Sequence, residues 1–115
     1  PHFMYRMDHA YKRHRKWLTA NVSKMPSEHF REHIYMTFQD DFVAFATGGQ
    51  MNWRRLCWAN DSPHSDSTWP ETVTLARKWL GHLPDDVQHK IAIGNAARVY
   101  NLTPADPSTL GSTLT

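Results

Sequence analysis

The sequence predicts an α/β fold in which two short parallel strands lie in mostly helical surroundings. Residues 56–59 form a continuous apolar run, which is typical of a strand that helices cover on both faces. Residues 34–38 are rich in strand-forming side chains, and helical patterns precede and follow both runs. Because a buried parallel pair is an incomplete sheet, we expect it to be a piece of a larger α/β sheet or barrel.

The size and composition of the chain are those of one globular domain. Its 115 residues can bury a modest core, and 40% hydrophobic with 21% charged residues is not the composition of a disordered chain. The sequence begins Pro1-His2-Phe3, without an initiator methionine, and enters a helical pattern almost at once. We therefore expect it to belong to a longer protein.

Charge and cysteine content restrict the partners and the compartment. The formal net charge is +2, so we expect no nucleic-acid partner. The basic run from Lys12 to Lys16 fits a solvated helix face or, alternatively, a surface for an acidic partner. Cys57 is the single cysteine, which excludes an internal disulfide, fits a reducing, cytoplasmic environment and predicts an unreactive core thiol. Since no apolar run reaches roughly 18 residues, we expect no membrane partner.

The first part of the chain is predicted to be helical. Apolar residues recur at helical spacing over about residues 3–21, which predicts a first helix. The stretch Pro26-Ser27-Glu28 predicts the start of a second helix, with Ser27 as its N-cap and Glu28 in its positive first turn. The strand-forming run at 34–38 limits this second helix to about two turns.

A third, short helix is predicted between the strands, and a fourth helix after them. Residues 40–46 fit a helix that Asp40 caps and Gly48-Gly49 closes. Thr68 and Glu71 have the spacing of a capping box, so we expect the fourth helix to start at Thr68 and to end at Gly81. The residues that this helix buries are predicted to be Val73, Ala76 and Leu80.

Two more helices are predicted before the end of the chain. Pro84 fits the first turn of a helix in which Asp85 and Asp86 are favourable at the positive end. The pair Gly94-Asn95 is predicted to break this helix and to cap the last one. From Thr103 onward, prolines, serines and threonines predict a flexible tail.

The polar loop after the second strand holds the main chemical candidates. In α/β barrels the chemistry lies where strands end and the following loops begin, and Asp61 comes directly after the strand. Its carboxylate can bind a metal ion or accept a proton, or it can cap a turn before Pro63. His64 can be a ligand, a proton shuttle or a hydrogen-bonding loop residue, and Asp66 is a further candidate.

Two other polar stretches compete with this loop. Residues 29–33 read His-Phe-Arg-Glu-His and match H-x-x-E-H, a zinc-protease motif that needs both histidines on one helical face. The strand predicted at 34–38 leaves too little helix for such a site, so we interpret these histidines as surface residues. Gln39-Asp40-Asp41 follows the first strand and would lie on the rim of the same site as Asp61, although Asp40 also fits as a helix cap.

Four stretches of the sequence share a common resemblance. The first is Leu56 to Pro70, LCWANDSPHSDSTWP, in which an apolar strand leads into the turn Asp61-Ser62-Pro63-His64. The remaining stretches are Arg6-Met7-Asp8 with Tyr11, Pro26-Ser27-Glu28, and Lys90-Ile91 with Gly94 to Tyr100 and Leu102. In this order they resemble the amidohydrolase-related metal-dependent hydrolases, which include aminocarboxymuconate-semialdehyde decarboxylase and benzoate-type decarboxylases.

The resemblance implies a fold and a site. Residues 1–102 would be the C-terminal portion of a (β/α)8 TIM barrel, with its seventh and eighth strands, and residues 103–115 would be a flexible tail. Asp61 would be the eighth-strand aspartate that binds a divalent metal, usually zinc, and takes part in proton transfer. His64 would lie beside it in a supporting role.

The resemblance also implies a function, and the sequence departs from the family in a way that limits it. The implied protein is a metal-dependent hydrolase or non-oxidative decarboxylase for a small, aromatic or carboxylated substrate. No H-x-H pair, which the family uses for its metal, is present, and one carboxylate cannot hold catalytic zinc. We therefore expect the remainder of the barrel as a partner, and no activity from this segment alone.

Other questions stay open at this point. Ser62 stands where tyrosine is common in the family, which leaves the substrate undecided. A homo-oligomer is compatible with the sequence. The alternative function is a non-catalytic interaction module that uses the basic N-terminal helix around Lys12 to Lys16.

Overall fold

A computed structural model describes residues 1–19 and 22–106 of the chain. Along these residues the main elements are α1 His2–His14, α2 Pro26–His33, β1 Met36–Phe38, α3 Phe42–Ala46, β2 Leu56–Trp58, α4 Thr72–Leu80, α5 Asp85–His89 and α6 Asn95–Tyr100. Short 3₁₀ turns lie at Arg15–Trp17, Gly48–Gln50 and Trp53–Arg55, and a π-helical segment, Lys90–Gly94, joins α5 to α6. No helix in the described part of the chain is both long and apolar enough to cross a membrane.

The two strands pair in parallel, which confirms the predicted α/β fold class. Met36 lies opposite Leu56 and Phe38 lies opposite Trp58 in the register. Both strands are shorter than the runs that predicted them. Because the strands are parallel, the loops that follow β1 and β2 leave from the same edge of the sheet.

The core lies where the second strand meets the C-terminal helices. Leu56, Leu80 and Ile91 are buried, and the rings of Phe38 and Trp58 pack against this cluster. The continuous apolar run of β2 is therefore explained by helices that cover it, as predicted.

One of the three residues that α4 was predicted to bury is exposed. Leu80 is buried, and Ala76 packs against the core cluster. Val73, in contrast, is 62% exposed. The helix begins at Thr72, so Val73 lies in its first turn, where it lines an open pocket with Trp58 and Leu80 instead of packing into the core.

The first helix ends earlier than predicted, and the second has a different cap. Helix α1 stops at His14, tightens into a 3₁₀ turn and reaches an extended backbone at Leu18. The end of the predicted range, residues 20 and 21, lies outside the described residues. Ser27 is not the N-cap of α2, because it lies inside the helix and is 5% exposed. Its N–H and hydroxyl donate to Asp8, across the contact between α1 and α2.

The predicted caps of α3 and α4 are also wrong. Asp41, rather than Asp40, caps α3 and accepts hydrogen bonds from the N–H groups of Val43 and Ala44 at 2.8 and 3.2 Å. Thr68 does not start α4, which begins four residues later. The N–H of Thr68 donates instead to the carbonyl of Asn60, and this bond keeps Thr68 in the loop.

The predicted break at Gly94-Asn95 does not occur. Gly94 has right-handed helical angles of φ −63° and ψ −35°, and the backbone continues through the π-helical segment into α6. Asn95 does not cap the helix, because its side chain makes tertiary hydrogen bonds to the carbonyls of Trp53 and Leu56. Helix α4 does end at Gly81 as predicted. Most of the predicted tail, residues 107–115, lies outside the described residues.

Candidate functional site

The candidate site lies at the edge where both strands end. A pocket of about 250 Å³ opens there, and its lining residues are Thr37, Phe38, Gln39, Ala59 and Asp61. Gln39 follows β1 directly, and Asp61 is the third residue after β2. The prediction that the Gln39-Asp40-Asp41 stretch and the Asp61 loop share one rim is thus correct for Gln39. The carboxyl edge of a parallel sheet is also where α/β enzymes place their chemistry.

Asp61 occupies an unusual backbone conformation at this edge. Its φ is 56°, in the left-handed region, which costs on the order of 1 kcal/mol for most residues and less for Asp and Asn. The turn that follows is held by the Asn60 side chain, which accepts from the N–H of Ser62 at 3.1 Å. Asn60, rather than Asp61, therefore caps the turn before Pro63. Within residues 1–19 and 22–106, no backbone N–H donates to the Asp61 carboxylate, which is 58% exposed.

His64 lies beside Asp61. The distance from its Nδ1 to the Asp61 Oδ2 is 3.6 Å, and the imidazole is 67% exposed. The N–H of Asp66 donates to the same Nδ1 at 3.3 Å. The Nδ1 atom of His64 therefore lies close both to the N–H of Asp66 and to the carboxylate of Asp61. The imidazole thus lies beside the Asp61 carboxylate with most of its surface exposed.

A second tie joins the loop to the first strand. The amide nitrogen of Gln39 donates to the main-chain oxygen of Asp66 at 3.0 Å and to its carboxylate at 3.1 Å. The other acidic residues of the first loop have structural roles. Asp40 accepts a hydrogen bond from the Trp79 indole, and Asp41 caps α3. Asp66 is thus an anchor of the loop in this structure.

The described residues do not form a complete metal site. Across residues 1–19 and 22–106, no group of three or more His, Cys, Asp or Glu side chains could hold a metal ion. Asp61 fits as one carboxylate ligand, because it is exposed and has no backbone donor. Nδ1 of His64 is already engaged by Asp66. A catalytic zinc normally takes three protein ligands, so further ligands would have to come from residues beyond those described.

The H-x-x-E-H stretch also forms no metal site in the described part of the chain. His29 and His33 stack with their ring centroids 6.0 Å apart. Glu32 is bound by Lys24, whose Nζ lies 2.6 and 2.7 Å from the two carboxylate oxygens. These hydrogen bonds lower the pKa of Glu32. The carboxylate that the motif would use as a general base is therefore paired on the surface.

The contacts of two residues that shape the site were not predicted from the sequence. Asn60 directly precedes Asp61-Ser62-Pro63, and an Asn two residues before the N–H that it binds is a known turn signal. Gln39 was visible as a polar residue after a strand, but its partner Asp66 is 27 positions away. Such a pairing depends on the parallel register of the strands, and no local pattern encodes it.

Fold and site together define a class of protein. Parallel strands with helical crossovers, whose carboxyl ends carry a carboxylate over a pocket, are the building units of α/β barrel enzymes. The family model described as amidohydrolase matches residues 29–102, which is well over half of the chain. The chain belongs to the amidohydrolase family.

One solved structure extends this comparison to the fold. The crystal structure of 5-carboxyvanillate decarboxylase from Sphingomonas paucimobilis matches with a TM-score of 0.73 and 24% sequence identity. The match covers 90% of this chain and 31% of that enzyme, so the chain spans about a third of the enzyme's length and has the fold of part of a TIM barrel. Among curated proteins, no match is found.

Proposed function

We propose that this chain supplies the last two strands of a metal-dependent barrel enzyme, with β1 and β2 as the seventh and eighth strands. The enzyme would be a hydrolase or a non-oxidative decarboxylase that acts on a small, aromatic or carboxylated substrate in the cytoplasm. Membership of the amidohydrolase family and the likeness to a decarboxylase support this class of reaction. The remainder of the barrel would complete both the sheet and the pocket.

The observation that carries the proposal is the position of Asp61. Its carboxylate lies at the carboxyl edge of a parallel sheet, lines a pocket, and has no backbone donor among the described residues. A carboxylate in this position can ligate a hard or borderline cation and can exchange a proton with a substrate. The left-handed backbone at Asp61 is a further sign of a functional site, since strained residues cluster at such sites.

We infer the roles of the two residues from the family resemblance and from their contacts. Asp61 would hold a divalent metal, with zinc as the expected ion. It would also carry a proton. In decarboxylation this proton takes the place of carbon dioxide on the substrate, and in hydrolysis it comes from the attacking water molecule. His64 would support it through its exposed imidazole, which lies beside the Asp61 carboxylate. A divalent metal, when bound, supplies Lewis-acid polarisation of a carboxylate or carbonyl group. The sequence holds no H-x-H pair, so the 115-residue segment would be inactive without the other ligands.

The test compares two aspartate variants of the barrel enzyme that contains this chain. Carbon dioxide release from a panel of hydroxylated and carboxylated benzoates measures decarboxylation, and cleavage of aromatic amides and esters measures hydrolysis. We expect Asp61→Asn to reduce turnover by about 10³-fold or more and to lower the bound zinc measured by mass spectrometry. Asp85→Asn makes the same chemical change in the first turn of α5 and should leave both unchanged. Near-normal turnover of Asp61→Asn with an unchanged circular dichroism spectrum would contradict the proposal.

A second candidate function is a non-catalytic interaction module. The basic run at the end of α1 is exposed on the described surface, and Trp17, directly after it, is 82% exposed. Exposed cations beside an aromatic side chain can bind an acidic partner. If this candidate is right, the protein binds a polyanion column, and its retention falls steeply between low and moderate salt. Retention should also disappear in a variant in which the basic residues are neutralised, namely Lys12, Arg13, Arg15 and Lys16. Retention that is independent of salt would remove it.

A further inference from the structure

The amide of Gln39 is held in one orientation. Its nitrogen donates to two oxygens of Asp66, one in the main chain and one in the carboxylate. Both partners are acceptors, so a flipped amide would place its own oxygen against two oxygens and lose both hydrogen bonds. The two contacts therefore fix Asp66 relative to the end of β1.

The oxygen of the same amide is left without a partner. Oε1 of Gln39 is buried and makes no hydrogen bond among the described residues. An unpaired buried acceptor is unfavourable, so this side chain is a poor choice if its purpose is stability alone. The arrangement is better explained by what the nitrogen holds in place.

Asp66 in turn contacts a residue of the candidate site. Its N–H donates to Nδ1 of His64 at 3.3 Å, and the same Nδ1 lies 3.6 Å from the Asp61 carboxylate. Gln39, Asp66, His64 and Asp61 thus form a continuous series of contacts from the end of β1 to the residue proposed to bind the metal. Gln39 and Asp61 also line the same pocket.

We propose that Gln39 is a positioning residue for the reaction. By fixing Asp66, it holds the His64 ring beside Asp61. The catalytic effect of Gln39 rests on the proposed function. The positioning of His64 is a set of contacts within this chain and does not depend on that function. The two parts are tested by different measurements.

The positioning is tested by NMR in the complete protein that contains this chain. The variant Gln39→Met keeps the size of the side chain and removes the donor, and Gln39→Glu places a carboxylate against the oxygens of Asp66. The matched control is Gln88→Met, since the amide of Gln88 also donates to a main-chain oxygen, that of Leu83, at 2.8 Å but lies outside the site. The readouts are the amide exchange rate of Asp66 and the ¹H and ¹⁵N shifts of the His64 ring, which report its surroundings.

In both Gln39 variants we expect the backbone amide of Asp66 to exchange about tenfold faster. The variants remove the hydrogen bonds from Gln39 that hold Asp66 in place, and the net strength of one such bond corresponds to a change of about this size. The resonances of the His64 ring should shift, and Gln88→Met should change neither readout. In the complete barrel enzyme, Gln39→Met should lower kcat about tenfold and leave KM within about twofold.

The possible results separate the two parts of the inference. Unchanged Asp66 exchange and an unchanged His64 spectrum in both Gln39 variants would overturn the positioning. A changed His64 spectrum with normal kcat would overturn its role in the reaction. If the NMR changes occur but the unaltered complete enzyme turns over no substrate of the panel, the positioning stands and the proposed function fails.

Discussion

The buried amide of Asn95 ties helix α6 to the carbonyl of Leu56. Its Nδ2 lies 2.7 Å from the Leu56 oxygen and 2.6 Å from the Trp53 oxygen, and the residue is 2% exposed. Both partners are acceptors, so the amide nitrogen must face them. Asn95 thereby fixes the C-terminal helix against the strand that leads into the Asp61 loop.

Replacing this amide should reveal how strongly the helix and the strand depend on it. Asn95→Ala removes two hydrogen bonds and takes this donor from the Leu56 carbonyl, whereas the Trp53 carbonyl still accepts the N–H of Leu56. We expect the loss to lower the free energy of unfolding by about 1–3 kcal/mol. Asn95→Asp should cost more at pH 7, because a carboxylate would face two carbonyl oxygens. Urea denaturation measures both effects, with the exposed Gln50→Ala as the control. The aspartate variant should recover part of its stability in acid, since a protonated carboxyl can donate; a loss that stays the same at low pH would contradict this account.

Asp8 should make a pH-dependent contribution to stability. Burial raises its pKa. The hydrogen bonds from Ser27 and the nearby cations Lys12 and Arg31 lower the pKa by more than burial raises it, so the net shift is downward. A carboxyl whose folded-state pKa is lowered stabilises the protein above its unfolded pKa, about 4, and loses this effect as the pH falls through the folded value. We expect Asp8→Asn to lower the free energy of unfolding at pH 7 by about 1 kcal/mol.

The measurement for Asp8 is a set of urea titrations between pH 7 and pH 2. The difference between the wild type and Asp8→Asn should narrow in the acid range. A double-mutant cycle with Ser27→Ala isolates the hydroxyl contact, whose Oγ lies 2.7 Å from the carboxylate. Additive losses in that cycle, or a difference that is constant with pH, would rule out the contact as the source of the effect.

Two neighbouring glycines should respond differently to alanine. A Cβ atom at Gly48 would lie 1.9 Å from the indole ring of Trp53, whereas a Cβ at Gly49 would meet nothing within 4 Å. Gly48→Ala forces the Trp53 ring to move and should cost about 1–3 kcal/mol. Gly49→Ala should be neutral or stabilise by up to about 1 kcal/mol, because it reduces the freedom of the unfolded chain. Thermal denaturation of both variants checks this, and equal effects would show that Trp53 repacks freely.

Cys57 should react slowly with thiol reagents while the chain is folded. The residue is 5% exposed, and burial raises its pKa although Arg98 opposes the shift. A higher pKa leaves less thiolate at a given pH, and the thiolate is the reacting form. At pH 8 we expect the native chain to react with an aromatic disulfide reagent at least about 100-fold more slowly than the urea-unfolded chain. A native rate close to the unfolded rate would mean that β2 is accessible.

The predictable part of the fold was encoded in runs of several residues. The apolar run at 56–59 indicated a strand that helices cover, and the buried residues Leu56 and Cys57 confirm it. The carboxyl-edge position of Asp61 followed from the end of that run. Periodicity and long runs predict elements well because each depends on many side chains at once.

The errors concern single residues whose partners are distant in the sequence. Ser27 has the chemistry of an N-cap, but its N–H and hydroxyl bind Asp8, 19 positions earlier. Asn95 follows a glycine as a helix-breaking signal would, yet its side chain binds Leu56, 39 positions earlier. Local rules assign such residues to local bonds, and tertiary hydrogen bonds override them. The series from Gln39 to Asp61 was not predicted for the same reason.

The left-handed backbone at Asp61 restricts which amino acids this position can tolerate. Asparagine and glycine fit the conformation but lack the charge, whereas glutamate keeps the charge, adds a methylene and fits the conformation less well. A histidine would also change how far the side chain reaches toward the pocket. A change of amino acid at position 61 would therefore require residues 60–62 to be rebuilt together, rather than Asp61 to be exchanged by itself.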